Sequence, residues 1–104
     1  TDSILKNADL SEVNLTGAFL ANTNLSGANF TNSELIAADM AGSDLTKANL
    51  NNTYLNHADL SGANLKSTLN LTPEQVETAF INQETLLPDS IPIVWISKTE
   101  YEFK

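Results

Sequence analysis

The stretch from Leu45 to Ser67, LTKAN LNNTY LNHAD LSGAN LKS, repeats a leucine at every fifth position. Reading outward from it, the same beat runs through Leu5, Leu10, Leu15, Leu20, Leu25, Phe30, Leu35, Met40, Leu45, Leu50, Leu55, Leu60 and Leu65. Two residues before each comes a small one, from Ser3 and Ala8 through Ala58 and Ala63, with Val13 the one larger occupant. The residue directly before is mostly Asp or Asn. A period of five fits neither regular element. On an α-helix, successive leucines would drift by roughly 140° and form no stripe. On a flat strand, an odd spacing sends alternate leucines to opposite faces. Tandem repetition points instead to a solenoid, in which each unit buries its apolar residue against stacked neighbours. The chain must then turn a corner in every unit, and Asn, Asp, Ser, Thr and Gly are the residues that tolerate such corners.

The units ANLNN, ADLSG and ANLKS, of the form A-(D/N)-L-x-x, resemble those of the pentapeptide-repeat proteins over residues 3–67. That resemblance implies an all-β solenoid, a right-handed quadrilateral β-helix with four units per coil. It implies about three coils, with the leucine and the small residue pointing inward and the other three positions outward. Such a stack stands roughly 15 Å tall at the ordinary strand spacing. The expectation is that all thirteen leucine-like residues are buried and the Asn and Asp before them largely exposed.

The chain divides into a repeat region, 1–67, and a tail, 68–104. The register ends after Leu65, because the next central position is Asn70. The segment LNLTPEQVETAF then predicts a short capping helix near 73–80. Thr72 is placed as N-cap, Pro73 at the first turn, Gln75 closes a capping box, and Leu71 and Val76 sit at staple spacing. Val76, Ala79 and Phe80 share one helical face, expected to cover the open last coil. Beyond Pro88 and Pro92, Ile93–Ile96 reads as a short extended segment anchored by Trp95. Residues 97–104 are charged and expected to fray. The expected cap anchors are thus Val76, Phe80 and Trp95. No comparable cap is visible at the N-terminal coil, so if Thr1 is the true start, that coil is the expected surface for self-association. Thr1 stands already in register without an initiator Met, which a processed or trimmed chain explains.

Composition narrows the function more than it names it. The 104 residues make one domain with a net charge of −8 and no cysteine. The acidity disfavours direct nucleic-acid binding, and it is shared equally between repeats and tail. No apolar run is long enough for a membrane span or signal core. The compartment is open: cytoplasmic or, if a signal was removed, periplasm or thylakoid lumen. The family resemblance adds an association with cyanobacteria.

Few residues offer chemistry. His57 is the only histidine and sits at an outward position without Cys or a second His to join it as ligand. Asp39 and Asp59 are one coil apart and should stack, but Asp is the ordinary filler there. Asn14, Asn24, Asn29, Asn51 and Asn70 begin N-x-S/T triplets that the repeat itself writes. No base, nucleophile, metal set or cofactor site assembles, so the expectation is a non-enzyme. Phe19, Ile36 and Tyr54 stand out because large apolar side chains replace polar ones at outward positions. They are covered either by the chain's own Trp95 segment or by a partner protein. Two readings follow: a protein-interaction module with an unidentified protein partner, and, from the family's quinolone-resistance members, a DNA mimic acting on an enzyme such as gyrase. Against the second stand a shorter, less acidic solenoid and a helical C-terminal cap where those members dimerise.

Overall fold

The computed structural model describes residues 4–104; Thr1, Asp2 and Ser3, the first small residue of the repeat, lie outside the described residues. From Ile4 to Leu69 the chain forms a β-helix-type fold without a single extended strand. It is joined by isolated parallel bridges between residues twenty apart: Ile4–Asn24, Asp9–Asn29, Asn14–Glu34, Phe19–Asp39, and onward to Asn49–Leu69. Four bridge columns per twenty residues make a chain that changes direction at every unit.

Most corners are built the same way. The Ala28 N–H donates to the Leu25 carbonyl at 3.0 Å, closing a four-residue turn. Its third residue, two after the leucine, has positive φ throughout: Asn22, Gly27, Asn32, Ala37, Gly42, Lys47, Asn52, His57, Gly62 and Ser67 among them. That is the requirement of a type II turn, and it explains the Asn and Gly at this position. The side then pairs with the coil above and below: the Leu25 N–H donates to Asp44 O at 2.7 Å in the coil above, and Asn24 O accepts the Leu5 N–H of the coil below at 2.7 Å.

Leucine-like residues from Leu25 to Leu65 are fully buried, as are the small residues from Thr23 to Ala63. Inward hydroxyls find backbone partners, as when Thr53 Oγ1 donates to Phe30 O at 2.8 Å, and Ser33 Oγ donates to Leu10 O. Among the described residues, no buried side-chain nitrogen or oxygen lacks a partner, as burial in a low dielectric demands.

Two expectations about burial need correction. Leu5, Leu10, Leu15 and Leu20 are only partly buried, because the coil above covers them on one side and no described coil stacks on the other. The Asn and Asp residues before the leucines between 24 and 64 are half-buried, since each is flanked by neighbours one strand spacing away.

The tail departs further from its reading. Its bridges do not stop with the leucine register: after Asn49–Leu69 come Asp59–Phe80 and Asn64–Leu86, at spacings stretched to twenty-one and twenty-two residues. On the intervening side, where a bridge to Tyr54 would fall, stands helix α1, Pro73–Thr78. Its capping box is complete, and Leu71 and Val76 enter the core. The helix is shorter than the expected 73–80. Ala79 is already extended, because Phe80 must pair with Asp59. Phe80 therefore leaves the helical face assigned to it and is 59% exposed.

Gln75 serves two purposes. Its Oε1 accepts from the Thr72 N–H at 2.8 Å, while its Nε2 donates to Leu50 O and Thr53 O, each at 2.8 Å. In the coil below, Ser33 O receives the Tyr54 N–H; above Thr53 the amide side chain replaces that missing backbone donor. The His57 N–H in turn donates to Thr78 O at 2.7 Å.

Residues 97–104 do not fray as expected. Strands β1, Ile93–Trp95, and β2, Tyr101–Phe103, pair antiparallel, with Trp95 opposite Tyr101. Their rings meet edge to face at 5.3 Å, and Tyr101 and Phe103 pack against the core. Aromatic cross-strand contact holds a segment whose charges suggested disorder. No helix among the described residues is long and apolar enough to cross a membrane.

Candidate binding surface

The Asp and Asn side chains that punctuate the surface are occupied with local structure. Oδ1 of Asn24, Asn29, Asp39, Asp44, Asn49, Asp59 and Asn64 accepts the backbone N–H two residues on, at 3.0–3.2 Å. These Asx turns hold the corners that follow those seven residues. They account for the N-x-S/T triplets at Asn14, Asn24 and Asn29: the Thr16 N–H donates to Asn14 Oδ1, and Ser26 and Thr31 donate both N–H and O–H to Asn24 and Asn29. Asp39 and Asp59 do stack as bridge partners, each carboxylate committed to its own turn. Among the described residues no three His, Cys, Asp or Glu side chains gather. His57 is exposed at a positive-φ corner, its ring 6.1 Å from that of Phe80.

Among the described residues, two groups are electrostatically displaced. The Ser11 hydroxyl and N–H hold the Asp9 carboxyl below its ordinary range. Burial, helped by the Glu77 charge, raises the Tyr101 phenol.

The apolar residues singled out from the sequence are not covered by the tail. Phe19 is 80% and Tyr54 58% exposed, Ile36 is half-buried, and Trp95 lies with Tyr101 in the terminal hairpin. Nor do they gather around one depression. Tyr54 faces a surface groove of about 580 Å³ with Asn32, Asn51, Asn52, Asn70, Thr72 and Gln75. Sequence reading missed this groove. Its signal was the cluster of asparagines at 49–52 together with Asn32, one coil below Asn52; the contribution of Gln75 and Asn70 depends on the path of the tail.

The comparisons with known proteins agree with the architecture. The family model for pentapeptide repeats matches eight copies over residues 3–40 and 33–69. Among solved structures, Rfr23 from the cyanobacterium Cyanothece is 32% identical, with a TM-score of 0.72 over 82% of this chain and 58% of that one. HetL from the cyanobacterium Nostoc, involved in heterocyst differentiation regulation, is 31% identical, with a TM-score of 0.64 over 83% of this chain and 35% of its own. A protein from the Arabidopsis thaliana thylakoid lumen is 24% identical, with a TM-score of 0.66 over 85% of this chain and 60% of its own. The chain thus spans three fifths or less of each of these structures. Among curated proteins no relative matches the sequence. With its repeats matched across well over half of its length, the chain belongs to the pentapeptide-repeat family.

Proposed function

We propose that this chain is a non-enzymatic docking module that binds a protein through the side of the solenoid carrying Phe19. The observation behind this reading is Phe19 itself. Its bridge partner Asp39, and Asp59 above that, hold the position with an Asx turn, whereas Phe19 spends the place on a ring left in water. Exposed aromatic side chains of this kind are favoured binding anchors. Ile36, at the adjoining corner, extends the surface. The regulatory involvement of HetL is in keeping with a role that needs contact and no chemistry. The architecture under this reading is a right-handed, four-sided β-helix of about three coils, closed at its C-terminal end by α1 and the hairpin.

The test compares affinity capture by the unaltered protein and by Phe19→Ser and Ile36→Ser, with melting curves in parallel. A partner retained by the first and lost by the variants at unchanged melting temperature supports the reading. Identical capture by all three overturns it. Added to a gyrase supercoiling assay, the protein should leave the reaction unchanged; inhibition would favour the DNA-mimic alternative.

A further inference from the structure

The groove beside Tyr54 has a composition unlike the rest of this acidic surface: none of its lining residues is charged. Its base is rigid, because Gln75 is tied at both ends of its amide, to the Thr72 N–H and to the Leu50 and Thr53 carbonyls. Its walls are not saturated. Among the described residues, the side-chain amides of Asn32, Asn51 and Asn52 make no hydrogen bond, while Asn70 spends one donor on Asn49 Oδ1 at 3.1 Å. Tyr54 adds a ring of which more than half is in solvent.

Those features select a ligand chemistry. An anion or cation would find no opposite charge in the lining. A purely apolar ligand would strip water from the amides and return no hydrogen bond, at a cost. A peptide adding itself as a strand needs free backbone groups. Here the Asn32 N–H is bonded to Asn51 O, the Tyr54 N–H to Ser33 O, and the Leu50 and Thr53 carbonyls to Gln75, so that although the Asn52 N–H has no partner among the described residues, the groove offers no alternating run of free groups for a strand to pair with. What remains is side-chain amides, each a donor beside an acceptor, and an aromatic face. A sugar ring matches both, with vicinal hydroxyls on its rim and C–H groups on its flat side. The groove volume lies within the range of small-molecule sites.

We propose that this groove is a binding site for a neutral carbohydrate, with Tyr54 stacking on a sugar ring and Asn32, Asn51 and Asn52 bonding its hydroxyls. The site does not depend on docking through Phe19. The experiment titrates the ¹⁵N-labelled full chain with maltotriose, cellotriose and triacetylchitotriose at millimolar concentrations, following backbone and asparagine side-chain amide signals. At least one sugar should give saturable shifts centred on Asn51, Asn52 and Tyr54, and these should weaken about tenfold or more in Tyr54→Ala and in Asn51→Ala. Asn52→Gly, which removes an amide while suiting the positive φ of that corner, should weaken them as well. The melting temperature of Tyr54→Ala should stay near that of the unaltered chain, since the ring is largely exposed. No saturable shift with any of the three sugars, shifts that survive Tyr54→Ala, or tighter binding of triglycine at the same signals would each overturn the proposal.

Discussion

Leu20 and Leu60 belong to the same column of the solenoid, each following a residue bridged to its neighbouring coil, yet Leu20 is half-buried and Leu60 is sealed. The local sequences, GAFL and HADL, do not explain this. Leu60 has a coil on each side: its N–H donates to Phe80 O at 2.8 Å, where the tail passes over it. Leu20 is covered by Met40 and its neighbours alone among the described residues. In a solenoid, a residue's contribution to stability is thus set by what is stacked upon it, and the repeat unit supplies only half of that environment.

The sharpest way to break the comparison is to place the same substitution in one column at two heights. Leu35→Asn puts an amide in a fully buried site and should cost about 4 kcal/mol or more, enough to unfold the chain in a urea titration followed by circular dichroism. Leu15→Asn, in the same column but half-buried, should cost about half as much. Equal effects would mean that the two ends are equally packed in solution. A smaller loss is expected from Gln75→Ala, about 2 kcal/mol, because it leaves the Thr53 carbonyl without its donor and opens the capping box. If that variant melts with the unaltered chain, the tail contributes little to closing the coil.

The two regions should also respond to pH at opposite extremes. Tyr101 titrates higher in the folded chain than its ordinary 10.0. Its contribution is therefore complete below pH 10 and is lost as pH rises through the raised value. A Tyr101→Phe chain should lack that alkaline loss in pH-dependent melts. Asp9 is held below 3.8, so its contribution is present above that value and fades as pH falls through the lowered one. Being fully exposed, it should leave only a slight mark on an acid titration, one that Ser11→Ala reduces. Smallest of all, Ala37→Gly should stabilise by about 0.5 kcal/mol. It relieves a left-handed φ of 58° at a corner that Gly17 already occupies in the coil below. A melting temperature that falls instead would show that the alanine methyl packs usefully there.

The repeat and its consequences were legible in the sequence. A leucine at every fifth residue cannot share a face on a helix or a strand, so Leu25 to Leu65 had to meet inside a chain that turns at each unit, and the intervening Asn, Asp and Gly show where it turns. The tail has no such redundancy. Thr72, Pro73 and Gln75 announced a helix start because capping is decided within four residues. Its end was decided elsewhere: Asp59, twenty-one residues earlier, draws Phe80 into a bridge and stops the helix at Thr78. The hairpin of Trp95 and Tyr101, the partial burial of Leu5 to Leu20, and the meeting of Asn32, Asn52 and Asn70 around Tyr54 are likewise matters of which segments lie over which. Periodicity records a residue's neighbours along the chain, whereas burial and grooves depend on neighbours in space, and only the folded stack supplies those.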